Sequence, residues 1–188
     1  MDSAVSKGRT GWRPGSSMSE MSTVHGYEQG SNTHPKPVFI YGTLCAIPLL
    51  AWALTGDSSQ VSVVSPLIRR AKVDGFARYR LSNRDYPAAV RCEGSKICGY
   101  LVTFSHQSQR RKLDDFEGAI YQEIPVQANI VDQCGRPTGE TVEADMYLWN
   151  GSMDGVTGEP WDLDEFIAYC LSDWLEIFDG MELIGQIE

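Results

Sequence analysis

The stretch that most limits how this chain can fold is Val38-Phe39-Ile40-Tyr41-Gly42-Thr43-Leu44. Its first residues are apolar or aromatic and include β-branched side chains, so they read as a short buried strand. Gly42 ends that strand, where the backbone must turn sharply or let something approach closely. Behind it the N–H groups of Gly42, Thr43 and Leu44 are free to point at an anionic or carbonyl oxygen. Alone, the string reads first as a strand ending in a plain turn. A second stretch, near residue 117, is what raises a ligand site beside it.

The 188 residues suit one domain with a single core and a tail. Residues 1–34, rich in Ser, Gly, Met and polar side chains, cannot bury enough apolar surface to offset their ordering entropy. They are expected to be a flexible polar tail, with Met18 and Met21 as alternative starts. The domain, 35–188, begins near Pro35. No apolar run approaches the ~20 residues of a membrane span, and residues 1–30 lack the apolar centre of a secretory signal. The five cysteines (Cys45, Cys92, Cys98, Cys134, Cys170) are odd in number and lack paired CxxC spacing, which suggests neither a disulfide framework nor a zinc site. His25, His34 and His106 are scattered. The expectation is a reduced, cytoplasmic, metal-free protein.

The net charge of −9 is unevenly spread. Residues 1–136 hold all 16 Lys and Arg and carry +4, whereas 137–188 carry 13 acids and no base. That acidic end argues against nucleic acid as the main partner, because phosphate binding needs clustered cations. The cationic run Arg69, Arg70, Lys72, Arg78, Arg80, Arg84 and Arg91 is the one exception. It reads instead as a solvated sheet face meeting the acidic C-terminal segment.

Periodicity predicts a helix over Ile47–Leu54 with Pro48 in its first turn and Gly56 as its stop. Val61–Ile68 reads as extended and edge-like because of Pro66. Ala71–Leu81 reads as two strands joined at Gly75 by a bulge, and Ala88–Cys92 and Ile97–Phe104 as strands separated by a turn at Glu93–Lys96. Ser105 would cap a helix to Phe116, with Gly118 at its C-terminus. Ile120–Val131 and Thr141–Trp149 make a hairpin. Residues 151–160 read as loop, and Trp161–Phe178 as one amphipathic helix stopped by Gly180, within an acidic C-terminal helical segment 159–188. The order of elements suggests an α+β fold.

Leu113-Asp114-Asp115-Phe116-Glu117-Gly118-Ala119-Ile120-Tyr121 closes the second long helix with three carboxylates. Glu117 lies between Phe116 and Gly118 at the junction with a strand entering the core. A carboxylate there would have its pKa raised by desolvation and by the neighbouring acids, as suits a proton shuttle near neutral pH. A helix-end acid facing water is the alternative.

Together the two stretches resemble the γ-glutamylcyclotransferase-like superfamily, particularly its AIG2-like and γ-glutamylamine cyclotransferase branches. The resemblance runs from about Pro37 to Trp149, with a weaker echo in Trp161–Phe166. Tyr41-Gly42-Thr43-Leu44 is similar to the family's opening YGTL string. Val73-Asp74-Gly75-Phe76, Tyr86-Pro87-Ala88 and Gly99-Tyr100-Leu101 are similar to its central elements, and Leu113–Tyr121 to its LDxFEG…Y string.

The resemblance implies a small mixed, closed or nearly closed β-barrel flanked by helices, with a cavity closed by the YGTL loop. It implies Glu117 as catalytic acid/base and Tyr41, Gly42, Thr43 and Leu44 as the substrate-binding loop. Tyr121 would orient the glutamate or simply fill the core. The implied reaction releases 5-oxoproline from a γ-glutamyl amine or peptide without a cofactor. The expected partner is a small-molecule substrate, with no nucleic acid or membrane, and the oligomeric state stays open. A proton-transfer, isomerisation or lyase step on a specialised metabolite, and a non-catalytic ligand-binding domain, are the alternatives.

Overall fold

In the computed structural model, which describes residues 34–178, the opening strand β1 (Val38–Ile40) sits at the centre of the architecture. It is buried on both faces, with Val38 and Phe39 at 0% exposure. It pairs antiparallel with β3 (Pro87–Val102) and parallel with β5 (Pro137–Trp149). β5 continues antiparallel to β4 (Tyr121–Val131), and β4 to β2 (Ile68–Leu81). Because β2 also pairs with β3, the sheet closes into a ring. A sixth strand, β6 (Val156–Pro160), adds to β2.

The alternation of side chains along β1 divides the interior in two. Phe39 and Tyr41 point into the ring, where they pack with Phe76, Leu101 and Met146 among the small Ala71, Ala89, Ala128 and Ala144. Val38 and Ile40 face the other way, onto the helices. There α1 (Ile47–Thr55) buries six of its nine residues. A helix so short is marginal in water, so this packing is what holds it. α3 (Gln107–Glu117), α4 (Leu163–Tyr169) and α5 (Leu171–Phe178) contribute Leu113, Phe166 and Leu171 to the same core. β1 approaches β3 so closely that a Cβ on Gly99 would lie 2.1 Å from the Ile40 carbonyl oxygen. Only glycine fits there.

The mixed α+β architecture expected from the sequence is present, and five local expectations need correcting. Val61–Ile68 is not extended: Val61–Val64 form a turn of helix, α2, followed by a 3-10 turn at Ser65–Leu67. Asp57 accepts from the Ser59 N–H and Ser65 Oγ donates back to the Val61 carbonyl, so local side chains satisfy a helical backbone. Only Val64 of this helix is buried. Ala71–Leu81 belongs to one strand, bulged between Asp74 and Phe76 with Gly75 at φ +85°. Residues 93–96 likewise stay within β3, their extra length absorbed where Asp74 pairs Lys96 but Phe76 pairs Arg91. Residues 156–160, read as loop, are β6. The predicted Trp161–Phe178 helix breaks at Cys170 into α4 and α5.

Of the predicted polar tail, residues 1–33 lie outside the described residues, as do 179–188 with the proposed Gly180 stop. No helix among the described residues is long and apolar enough to cross a membrane.

Candidate active site

Glu117 is the last residue of α3, on the stripe that Arg110 and Leu113 define at three- and four-residue spacing. Both of those side chains are buried, so the same face carries Glu117 inward. Gly118, at φ +65°, then turns the chain, its N–H bonded to the Asp114 carbonyl. A 3-10 turn, Gly118–Ile120, leads into β4.

Upstream, Arg110 anchors α3. Its guanidinium donates to Asp114 (2.7 Å), Asp145 (3.0 Å), Glu123 and the Lys36 carbonyl. Tyr147 also donates to Asp114, at 2.7 Å. This hub is not legible in the sequence, because a lysine- and arginine-rich helix normally faces water.

Opposite α3 in the chain, the turn after β1 forms a 3-10 helix at Thr43–Cys45, closed by a bond from the Cys45 N–H to the Gly42 carbonyl. The N–H groups of Gly42, Thr43 and Leu44 have no backbone acceptor among the described residues, as the first donors of any helix are unpaired. Arg78 donates to the Tyr41 carbonyl and stacks over Trp161, 4.9 Å from the ring centre, which pins the turn from behind. A Cβ on Gly42 would lie 3.0 Å from Cγ of Pro87, so a side chain there would press on the Pro87 ring.

A cavity of about 290 Å³ brings the two stretches together. Tyr41, Gly42 and Thr43 line it from the turn, Phe116, Glu117, Ile120 and Tyr121 from the end of α3 onward. Leu44 does not line it; its side chain is buried in the helix-facing core.

Tyr121 lines the cavity, but its hydroxyl donates to the Pro87 carbonyl at 2.7 Å, so it braces the start of β3. The Tyr41 hydroxyl donates to the Tyr147 carbonyl at 2.5 Å. Burial, with the charge of Glu117 added, holds the Tyr41, Tyr121 and Tyr147 phenols well above their usual range, so all three stay neutral.

The residue Glu117 is half-buried overall, but its carboxyl end is enclosed, and burial pushes its pKa from the ordinary 4.5 to about 8. Desolvation is the sole cause. The expected contribution from neighbouring acids is therefore a misreading: Asp114 is engaged by Arg110 and Tyr147, and Asp115 is exposed. No described side chain hydrogen-bonds Glu117. Cys45, behind the turn, is pushed up to about 12 by burial and remains a thiol. Among the described residues no group of three or more His, Cys, Asp or Glu is placed to hold a metal ion.

Among the lining residues that escaped the sequence reading as site residues are the aromatics Tyr86, Phe116, Tyr147, Trp174 and Phe178. Trp174 and Phe178 were visible only as core positions of an amphipathic helix. The signal that distinguishes them is four-residue spacing of large aromatics, which puts two rings on one turn of α5.

The family model described as γ-glutamyl cyclotransferase, AIG2-like, matches residues 38–165. Among curated proteins, Protein AIG2 C of Arabidopsis thaliana is 24% identical over 144 residues, covering 77% of this chain and 79% of its own. Two solution structures of Arabidopsis thaliana proteins share the fold. One has a TM-score of 0.52 at 24% identity, covering 78% of this chain and 81% of its own. The other has a TM-score of 0.50 at 26% identity, covering 76% and 87%.

Proposed function

The chain belongs to the AIG2-like γ-glutamyl cyclotransferase family, and from that premise we propose that it releases 5-oxoproline from a γ-glutamyl amine or peptide, with Glu117 as the acid/base. The observation that carries this reading is the shared cavity: Glu117, an enclosed carboxyl pushed up to about 8, lines the same space as Gly42 and Thr43, whose N–H groups have no backbone acceptor among the described residues.

The chemistry needs little else. The substrate's α-ammonium gives a proton to the Glu117 carboxylate, and the freed amine attacks the γ-carbonyl carbon. The tetrahedral intermediate carries two protons on its new ring nitrogen. As it collapses the amide C–N bond breaks, the protonated Glu117 gives its proton to the leaving nitrogen, and the ring nitrogen passes its surplus proton through the regenerated carboxylate to the departing amine. The products are 5-oxoproline and the amine as its ammonium; no water is consumed and no enzyme nucleophile is required. The Gly42 and Thr43 N–H groups supply donors to the γ-glutamyl oxygens, and one such preorganised donor is typically worth ~10²–10³ in rate. The partner is thus a small molecule, and no cofactor enters the scheme.

The test is 5-oxoproline release from γ-glutamyl amides by the full chain. Glu117→Gln keeps the shape and removes the proton shuttle, so its rate should fall by at least ~10²-fold. A variant that keeps full activity would refute the mechanism. Because the base form is needed to start the reaction, kcat/KM should climb with pH towards about 8.

A further inference from the structure

The cavity holds a feature that the proton shuttle does not use. Beside Glu117 an unbroken arc of aromatic rings runs Phe116, Phe178, Trp174, Tyr86, Tyr121. Successive ring centres are 5.9, 5.8, 6.5 and 6.5 Å apart. It begins one residue before Glu117 and ends four residues after it, so the rings surround the space next to the reacting carboxyl. Contacts between the rings are tilted or edge-on, the arrangement that aromatic groups prefer among themselves and offer to an incoming ring.

The charges in the lining are equally one-sided. Asp115 and Glu117 are its only acids, and no Lys, Arg or His lines it among the described residues. Among the lining donors, the phenol protons of Tyr41, Tyr121 and Tyr147 are already given to protein oxygens and the Trp174 indole N–H to Asp85, which leaves the Gly42 and Thr43 N–H groups and the Thr43 and Tyr86 hydroxyls. A γ-glutamyl head, with its own carboxylate and carbonyl oxygens, takes up those donors. A second carboxylate, on the amine arm, would meet Asp115 and a ring of π-faces and lose its water without a partner.

Building on the cyclotransferase reading of this site, we infer that its substrates are γ-glutamyl derivatives of aromatic or bulky apolar amines that carry no second carboxylate. The arm lies against the arc of Trp174 and Phe178. γ-Glutamyl dipeptides, whose arm ends in a carboxylate, are excluded by the lack of a cation among the described lining residues.

A panel of γ-glutamylphenethylamide, γ-glutamylmethylamide and γ-glutamylglycine, read as 5-oxoproline release, tests this. Burying one aryl group should raise kcat/KM for the phenethylamide about 10–100-fold over the methylamide, with the glycine compound lowest. Trp174→Leu should cut the phenethylamide advantage mainly through KM. Comparable rates across the panel, lost together in Glu117→Gln, would overturn the arm preference and leave the cyclotransferase reading standing. So would an advantage that Trp174→Leu leaves intact. No release from any of the three would remove both.

Discussion

At the scale of single residues, Glu117 is where function and stability pull apart. A carboxyl whose folded pKa lies above its unfolded one binds more protons folded than unfolded between those values, here between 4.5 and about 8. Stability linked to Glu117 is therefore fully present below pH 4.5 and lost as pH rises through about 8. Glu117→Gln removes the ionisation altogether. We expect its Tm to exceed that of the unsubstituted protein at pH 9 and to match it near pH 4.5. Each kcal/mol gained corresponds to about 2–4 °C for a chain of this size. Calorimetry at the two pH values decides it; a gain that is the same at both would mean the carboxyl is not enclosed. The candidate role of Glu117 was legible because its neighbours Phe116 and Gly118 mark a helix end entering a core. What the sequence misstated was the cause of its raised pKa, since only the fold commits Asp114 to Arg110 and Tyr147.

Among the elements, α3 has the most to lose. Its hold on β4 and β5 passes through Arg110, which is 5% exposed and surrounded by Asp114, Asp145 and Glu123. Replacing Arg110 with Leu would leave the largely covered Asp145 with Lys36 alone, and Asp114 with only the Tyr147 hydroxyl. We expect a loss of about 3 kcal/mol, at the low end for breaking a buried pair because the acids keep some solvent. A fall in the urea midpoint with unchanged slope measures it, and Arg110→Lys should recover only part, for want of the planar fork. The element readings failed where short-range patterns compete. Val61–Val64 has the composition of a strand, yet Asp57 and Ser65 supply the hydrogen bonds of a turn. β6 has no apolar alternation to announce it, and it exists because β2 offers it an edge. β1, α1 and the β4–β5 hairpin were legible because composition, turn residues and burial agree there.

For the molecule as a whole, the lopsided charge of the chain turns out to be an internal arrangement. Lys36 meets Glu143 and Asp145, Arg69 meets Glu140, Arg80 meets Glu165, and Arg110 meets Asp145. Each joins a cation of the basic part to an acid beyond residue 136, and of the cationic run read as meeting that segment, Arg69 and Arg80 are the members that do so among the described residues. Ring closure is the other property of the whole. β1 finds its partners at Val102 and Asp145, far along the chain, and the cavity wall is finished by Trp174 and Phe178 of α5. Pairings so distant in sequence fold slowly, in milliseconds to seconds for sheet-rich domains. The site depends on these pairings, so we expect it to form no earlier than the ring closes. In a refolding experiment, 5-oxoproline-forming activity should return no faster than the native tryptophan fluorescence; activity appearing ahead of it would mean that the cavity assembles before the ring closes. A nascent chain that has made Glu117 and the Gly42 turn still lacks an enclosed carboxyl. On the proposed reading, Glu117 gains its enclosed setting only with α5 docked beside it, so completion of the fold is itself the activating step.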